Sequence, residues 1–230
     1  MKIVIIHGQS HEGSTCRIAR MLAEKLNGDT ADTTEFFLPR DFDSFCTGCT
    51  ACFTRSEEKC PHYKKLLPIT EAMDEADVII LASPVYVYHA TGAMKAFLDH
   101  YGYRWMVHRP NEKMFGKQAV CISTAAGAGT GSTNKDMADS AFFWGCGRIY
   151  KLGIGVRATA WNEVDPKIKA KTERRVAAIA DKIIKRNGRV RPMIKTKLFF
   201  SVMRMMGGLS ESDHAYWQEK GWRGKERPWK

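Results

Sequence analysis

Five short apolar runs, each followed by helical periodicity, leave this chain few ways to fold. The runs cover residues 2–7, 31–38, 77–82, 118–123 and 150–158, and the third holds an unbroken Val-Ile-Ile-Leu at 78–81. Between and after them, residues 15–26, 65–75, 92–105, 136–144 and 165–187 read as helices. Ile18, Leu22 and Leu26 share one helix face, as do Met94, Phe97, Leu98 and Tyr101. Strands without polar alternation are buried on both sides, and helices between them supply the cover. Pro39 stops the second strand, and Gly188 is a natural C-cap for the last helix.

With 230 residues and 44% hydrophobic content, the chain has material for one full core and an appendage. The expected division is residues 1–188 as the α/β body and 189–230 as a helical extension. Five strands in this rhythm predict a flavodoxin-like, doubly wound parallel sheet of order 2-1-3-4-5. In that topology ligands sit beyond the carboxyl ends of strands one and three, where the winding reverses.

The residues at that edge suit an anion. Strand one runs straight into Gly8-Gln9-Ser10-His11-Glu12-Gly13-Ser14-Thr15. Small residues at a helix N-terminus offer free amides, hydroxyls and the positive end of the helix dipole. The Gly8-x4-Gly13-x-Thr15 spacing is that of a P-loop, but Ser14 stands where the lysine belongs. That disfavours a nucleotide triphosphatase and suits a single phosphate monoester; the alternative is a turn in which Ser14 only caps the helix. After strand three comes Ser83-Pro84-Val85-Tyr86-Val87-Tyr88-His89, an aromatic loop able to seat a flat conjugated ring. After strand four, residues 124–132 are small and glycine-rich enough for close approach. His89 is the one histidine in the aromatic loop, either a proton donor or substrate contact, or a solvated bystander.

The chain resembles the NAD(P)H-dependent FMN reductase and multimeric flavodoxin superfamily, and particularly its iron-sulfur flavoprotein branch, over about residues 1–188. The likeness rests on the 8–15 loop and on Ser83-Pro84-Val85-Tyr86 followed by Thr91-Gly92-x-Met94-Lys95-x-Phe97-Leu98-Asp99. It implies that Ser10, Gly13, Ser14 and Thr15 hold the FMN phosphate. It implies also that the loop from Ser83 through Pro84, Val85 and Tyr86 follows the isoalloxazine, with Ala125, Ala126 and Gly127 approaching from the third loop. By the same resemblance, hydride passes from NAD(P)H to flavin and electrons go on to a small-molecule or protein acceptor. Homodimers or homotetramers with flavin sites near the subunit contact are expected. An electron-transfer flavoprotein without nicotinamide turnover would use the same loops.

Four cysteines follow the spacing Cys46-x2-Cys49-x2-Cys52-x7-Cys60-Pro61. Three thiols at two-residue intervals with a more distant fourth before proline can meet the corners of a 4Fe-4S cubane. Structural zinc and free thiols are the alternatives, and the seven-residue gap is at the loose end of the branch's spacing. Cys16, Cys121 and Cys146 read as core residues.

The net charge of +11 is concentrated at one end, since residues 1–181 sum to +2 and residues 182–230 to +9. A near-neutral body argues against a nucleic-acid-binding module. In the extension, Ile194, Leu198, Val202 and Met205 recur at helical spacing, and Tyr216, Trp217, Trp222 and Trp229 follow among basic residues. Docking on this chain or a dimer mate is the expected use, with peripheral membrane contact as the alternative. The opening apolar run is a strand's length without a basic n-region, and a cytoplasmic location is expected.

Overall fold

In the computed structural model, which describes residues 1–27 and 32–229, five parallel strands form one sheet of order β2-β1-β3-β4-β5. The strands are β1 (Ile3–His7), β2 (Thr33–Phe37), β3 (Val78–Pro84), β4 (Gln118–Ala125) and β5 (Arg148–Gly155). The helices of the body are α1 (Ser14–Asn27), α2 (Ala51–Thr54), α3 (Tyr63–Glu75), α4 (Gly92–Asp99), α5 (Thr130–Phe143) and α6 (Pro166–Ile184). The fold is flavodoxin-like and doubly wound, as the rhythm of the runs predicts.

Side chains alternate across the sheet and build two cores. Ile3, Ile5, Val78, Ile80, Val120 and Ile122 meet Ile18 and Leu22 of α1 and Val176 and Ile183 of α6. On the other face, Val4, Ile6, Ile79, Leu81 and Cys121 meet Leu66 and Met73 of α3, Met94 and Phe97 of α4, and Met137 of α5. The edge strand β2 tolerates Thr33, Thr34 and Glu35 because it is only partly covered.

Element boundaries differ from expectation where loops and caps decide them. The predicted start of strand two at Ala31 lies outside the described residues. Helix α5 begins at Thr130 rather than 136, because Gly129 turns at φ +96° and launches the helix at once. Helix α4 ends at Asp99, and residues 102–104 form a 3₁₀ turn where a side chain on Gly102 would meet Phe53 Cζ at 2.9 Å. Strand β5 ends at Gly155, in register with the end of β4 at Ala125. Residues 156–158, expected as strand, are therefore loop. The last turn of α6 tightens through Arg186 N to Ile183 O and Asn187 N to Ile184 O bonds before Gly188 turns at φ +67°.

Beyond Gly188, α7 (Ile194–Met206) and α8 (Glu211–Glu219) dock against the body. Phe200, Trp217 and Trp222 form a third core with Met106 and Phe115. Its polar anchor is Asp213, fully buried, which accepts from Arg109 Nη1 at 2.6 Å and pairs with His108 Nδ1 at 2.8 Å. The extension also reaches the cysteine segment. Ser210 Oγ donates to Phe53 O and Ser212 Oγ to Thr54 O, both at 3.2 Å, while Arg109 donates to Phe53 O at 3.2 Å and also to Cys52 O. The last carbonyls of α2, which no helical amide can satisfy, are thus met by side chains.

Burial alone would raise the Asp213 pKa, but His108, the Leu209 amide and Arg109 outweigh it and hold the carboxyl below its ordinary value. Asp213→Ala takes from the largely buried Arg109 its nearer carboxylate, leaving Glu57 at 3.9 Å, and is expected to cost about 3–5 kcal/mol in denaturant titrations. Because folding lowers this pKa, the contribution is complete above the unfolded carboxyl's pKa of about 3.9 and disappears as pH falls through the folded value. Asp213→Asn should flatten the acid limb of a tryptophan-fluorescence stability profile; an unchanged slope would refute the assignment.

Candidate functional site

At the carboxyl edge of the sheet, three loops enclose a cleft of about 180 Å³. It opens between β1 and β3 because their chains leave for opposite faces, α1 joining one core and α4 the other. The floor is fastened by Thr91. Its hydroxyl donates to Gly8 O at 2.5 Å and accepts from Met94 N at 3.1 Å, capping α4, while its amide donates to Ser83 Oγ at 3.0 Å. A Cβ on Gly8 would come within 2.9 Å of that hydroxyl, so only glycine lets the first loop lie this close to β3.

Thr124 joins all three loops. Its carbonyl accepts from Val85 N at 2.8 Å, and its hydroxyl shares a 2.6 Å hydrogen bond with Thr15. Ser14 begins α1, is only 7% exposed, and its hydroxyl has no hydrogen-bond partner while lining the cleft. An orphaned hydroxyl beside the free amides of a helix N-terminus is what an anion would satisfy. No Lys or Arg lines the cleft among the described residues, so hydroxyls, amides, the helix dipole and the imidazoles of His7 and His11 are its means of holding negative charge.

Gly13, Ser14, Thr15, Pro84, Val85, Tyr86, Ala125 and Ala126 all line this cleft. Three other predicted residues stand apart from its walls. The Ser10 hydroxyl donates to Leu38 O at 3.2 Å, Ser83 is fully buried and bonds Pro84 O and Thr91 N, and Gly127 faces a neighbouring hollow with Arg157, Lys171 and Arg175. His89 is exposed and pairs with Asp136 Oδ2 at 3.1 Å, on the outer side of the aromatic loop. That loop closes in a tight turn, with Tyr86 and His89 exchanging backbone bonds and Val87 and Tyr88 at φ +48° and +67°. Val87, a β-branched residue in left-handed conformation, is 93% exposed. Tyr86 is held by a 2.7 Å bond from Gln9 Nε2 to its hydroxyl.

The structure adds cleft residues that the sequence did not single out. His7, buried at the end of β1, stacks on Phe37 and bonds Glu35 Oε2 at 2.7 Å. Burial would raise the Glu35 pKa, but hydrogen bonds from His7 and Arg20 reverse this and hold it low. Burial pushes the Cys16 thiol up to about 11, consistent with a core role. Val156, Ala158 and Thr159 complete the wall beyond β5.

A second site gathers the four clustered cysteines. Cys46, Cys49, Cys52 and Cys60 line one small hollow with Phe53, Pro61, His62 and His100. Gly48 and Thr50, at φ +68° and +57°, bend the segment around it. Burial, reinforced by the Cys60 and Cys46 thiols, pushes Cys52 up to about 11, whereas the Ala51 amide lowers Cys49. Donor atoms of Cys60, His62 and His100 lie within 4.8 Å of one another. His100 Nδ1 faces Ala96 O at 2.7 Å and must donate to it, so Nε2 accepts from His62 Nδ1 at 2.9 Å. All four cysteines thus border one hollow, in which the donors brought close together are one thiol and two imidazoles.

Helix α4 connects the sites. It is capped by Thr91 at the cleft and ends beside His100 at the cysteines, roughly 13 Å along the axis at 1.5 Å per residue.

Comparison with known proteins agrees with this architecture. An iron-sulfur flavoprotein of Archaeoglobus fulgidus is 26% identical over 231 residues, covering 96% of this chain and 99% of its own. An iron-sulfur flavoprotein of Methanocaldococcus jannaschii is 36% identical over 103 residues, 43% of this chain and 51% of that protein. Among solved structures, an FMN-dependent NADH-azoreductase of Bacillus anthracis in complex with FMN superposes with a TM-score of 0.57 at 14% identity, covering 80% of this chain and 100% of the other. The NAD(P)H:quinone oxidoreductase of Methanothermobacter marburgensis gives 0.57 at 15%, covering 78% and 95%. These two share the fold. The profile of the NADPH-dependent FMN reductases matches residues 1–153, and with that match the chain belongs to this family of FMN-dependent oxidoreductases.

Proposed function

We propose that this chain takes electrons from NAD(P)H onto FMN held in the cleft and passes them to a small-molecule or protein acceptor, with a 4Fe-4S cluster in the cysteine hollow as relay. The carrying observation is the buried, unpartnered Ser14 hydroxyl at the start of α1. FMN, when bound, supplies hydride acceptance and release of one or two electrons. The protein's part is binding and orientation. Ser14, Thr15 and the amides that open α1 hold the phosphate end, Pro84 to Tyr86 and Ala125 to Ala126 border the ring end, and Thr124 fixes the two ends relative to each other. Ser83 and Thr91 act at one remove, by fixing the loop that carries Pro84.

The 86–89 turn supports a homodimer or homotetramer. It projects from the mouth of the cleft with Tyr86, Val87 and Tyr88 exposed, an apolar tip that a second subunit would cover. All seven cysteines are free, which supports a reducing, cytoplasmic setting. Among the described residues no helix is long and apolar enough to cross a membrane.

Because the cleft meets phosphate with hydroxyls, FMN should bind the apoprotein far more tightly than riboflavin. Ser14→Ala should weaken FMN by about 1–3 kcal/mol and leave riboflavin unchanged, while Thr15→Val, which also removes the bond to Thr124, should weaken FMN more than riboflavin. Fluorescence titration reads both, and equal losses for the two ligands would refute the phosphate assignment. Stopped-flow mixing with NADH and NADPH then tests flavin reduction; failure with both would leave an electron-transfer flavoprotein.

Protein prepared anaerobically should contain about four irons per chain and lose them in Cys49→Ser, with FMN retained. Iron absent after anaerobic reconstitution, in protein that binds FMN normally, would refute the cluster and leave zinc or free thiols in the hollow.

A further inference from the structure

Helix α7 is apolar on two faces, and the body covers only one. Phe200 and Thr196 point inward and are fully buried, with Phe199 and Met203 packed beside them. The opposite stripe is bare, with Ile194 85%, Leu198 65% and Met205 74% exposed, and Val202, Met206 and Leu209 continue it. An unbroken exposed run of this kind over three helical turns is an interaction surface, since solubility favours polar residues there.

Charge identifies the occupant. Residues 182–210 contain eight Lys and Arg and no Asp or Glu. Two of these cations are held at the borders of the stripe by stacking. Lys195 Nζ lies 4.5 Å from the Phe142 ring centre, and Lys197 Nζ lies 5.8 Å from that of Trp229. A second copy packed stripe to stripe would bring two acid-free, basic segments together, which opposes self-association there. Aliphatic side chains standing this far out of a basic helix call for a partner that is negative and soft enough to be entered. An anionic bilayer is both soft and negative.

The geometry points to α7 as a membrane-surface helix, lying in the plane of an anionic lipid leaflet with Ile194, Leu198, Val202 and Met205 inserted and the surrounding Lys and Arg on lipid phosphates. Two of the three tryptophans of the extension take no part, and the third, Trp229, is half-buried at the border of the stripe beneath Lys197. Trp217 and Trp222 are buried in the third core, so the contact rests on aliphatic and methionine side chains. Binding of this type leaves the cleft and the cysteine hollow unaltered and would hold the reductase where lipid-dissolved acceptors reside. The inference stands apart from the flavin and cluster assignments, because neither site uses α7.

Vesicle co-sedimentation of the full chain tests it. With phosphatidylcholine vesicles containing about 30% phosphatidylserine, the protein should pellet at low salt, and pellet far less with phosphatidylcholine alone or at high salt. Leu198→Glu with Met205→Glu should reduce the bound fraction at least about tenfold. Tryptophan fluorescence and FMN content should match the wild type and show that the fold is intact. Lys195→Gln with Lys197→Gln gives an independent reading, weakening binding with the stripe unchanged. Failure of the wild type to pellet, or equal pelleting of the Glu variant, overturns the proposal. A fall in solution mass for the Glu variant without lipid, by light scattering, would assign the stripe to a second copy. Retention of an acidic protein by the wild type, with no lipid binding, would assign it to that partner.

Discussion

The cleft exists because β1 and β3 are hydrogen-bonded neighbours whose chains depart in opposite directions. Past His7 the backbone turns toward the α1 face, and past Pro84 it turns toward the α4 face. Neither departing loop can finish the ladder, so amides and carbonyls at this edge must find other partners. Some find each other: Gly8 N reaches Ala82 O, Val85 N reaches Thr124 O, and the Thr91 hydroxyl reaches Gly8 O. What remains unmatched, with the Ser14 hydroxyl, defines where a ligand belongs.

The inner strands β1, β3 and β4 were legible because burial on both faces demands apolar sequence, the edge strands β2 and β5 from their place in the alternation with helices, and the strand order followed from that rhythm. Pro84, Val85 and Tyr86 were legible because a loop after strand three has one place to go. Residues 156–159 were not. Val156 and Ala158 look like strand continuation, and only the end of β4 at Ala125 shows that the ladder stops at Gly155. Thr124 gave no local signal, since its role arises from contacts with Val85 and Thr15, which lie 39 and 109 positions away in sequence. His62 and His100 come from different elements and meet only once α4 packs beside the cysteine segment.

The extension shows how composition and position part company. Its aromatic residues and its aliphatic stripe are interleaved in sequence, yet the structure separates them: Phe200, Trp217 and Trp222 inward with Phe115, the aliphatics outward on α7. Helical period explains the sorting. Thr196, Phe200 and Met203 fall on one side of the cylinder, and Ile194, Leu198, Val202 and Met205 on the other. The first side is buried because it completes an aromatic core with Met106 and Phe115 of the body.

Carbonyls at the end of α2 accept from Arg109, Ser210 and Ser212, so the shape of the cysteine segment is written partly in residues more than 150 positions downstream. A four-residue helix cannot hold itself together, since nearly all its backbone groups are terminal. The hollow is therefore built like an arch whose outer abutment is the C-terminal extension. A version shortened to Gly188 would retain every thiol, the whole sheet and the Arg109 bonds, yet lose the Ser210 and Ser212 bonds to Phe53 and Thr54, so that the arch would stand on its inner abutment alone.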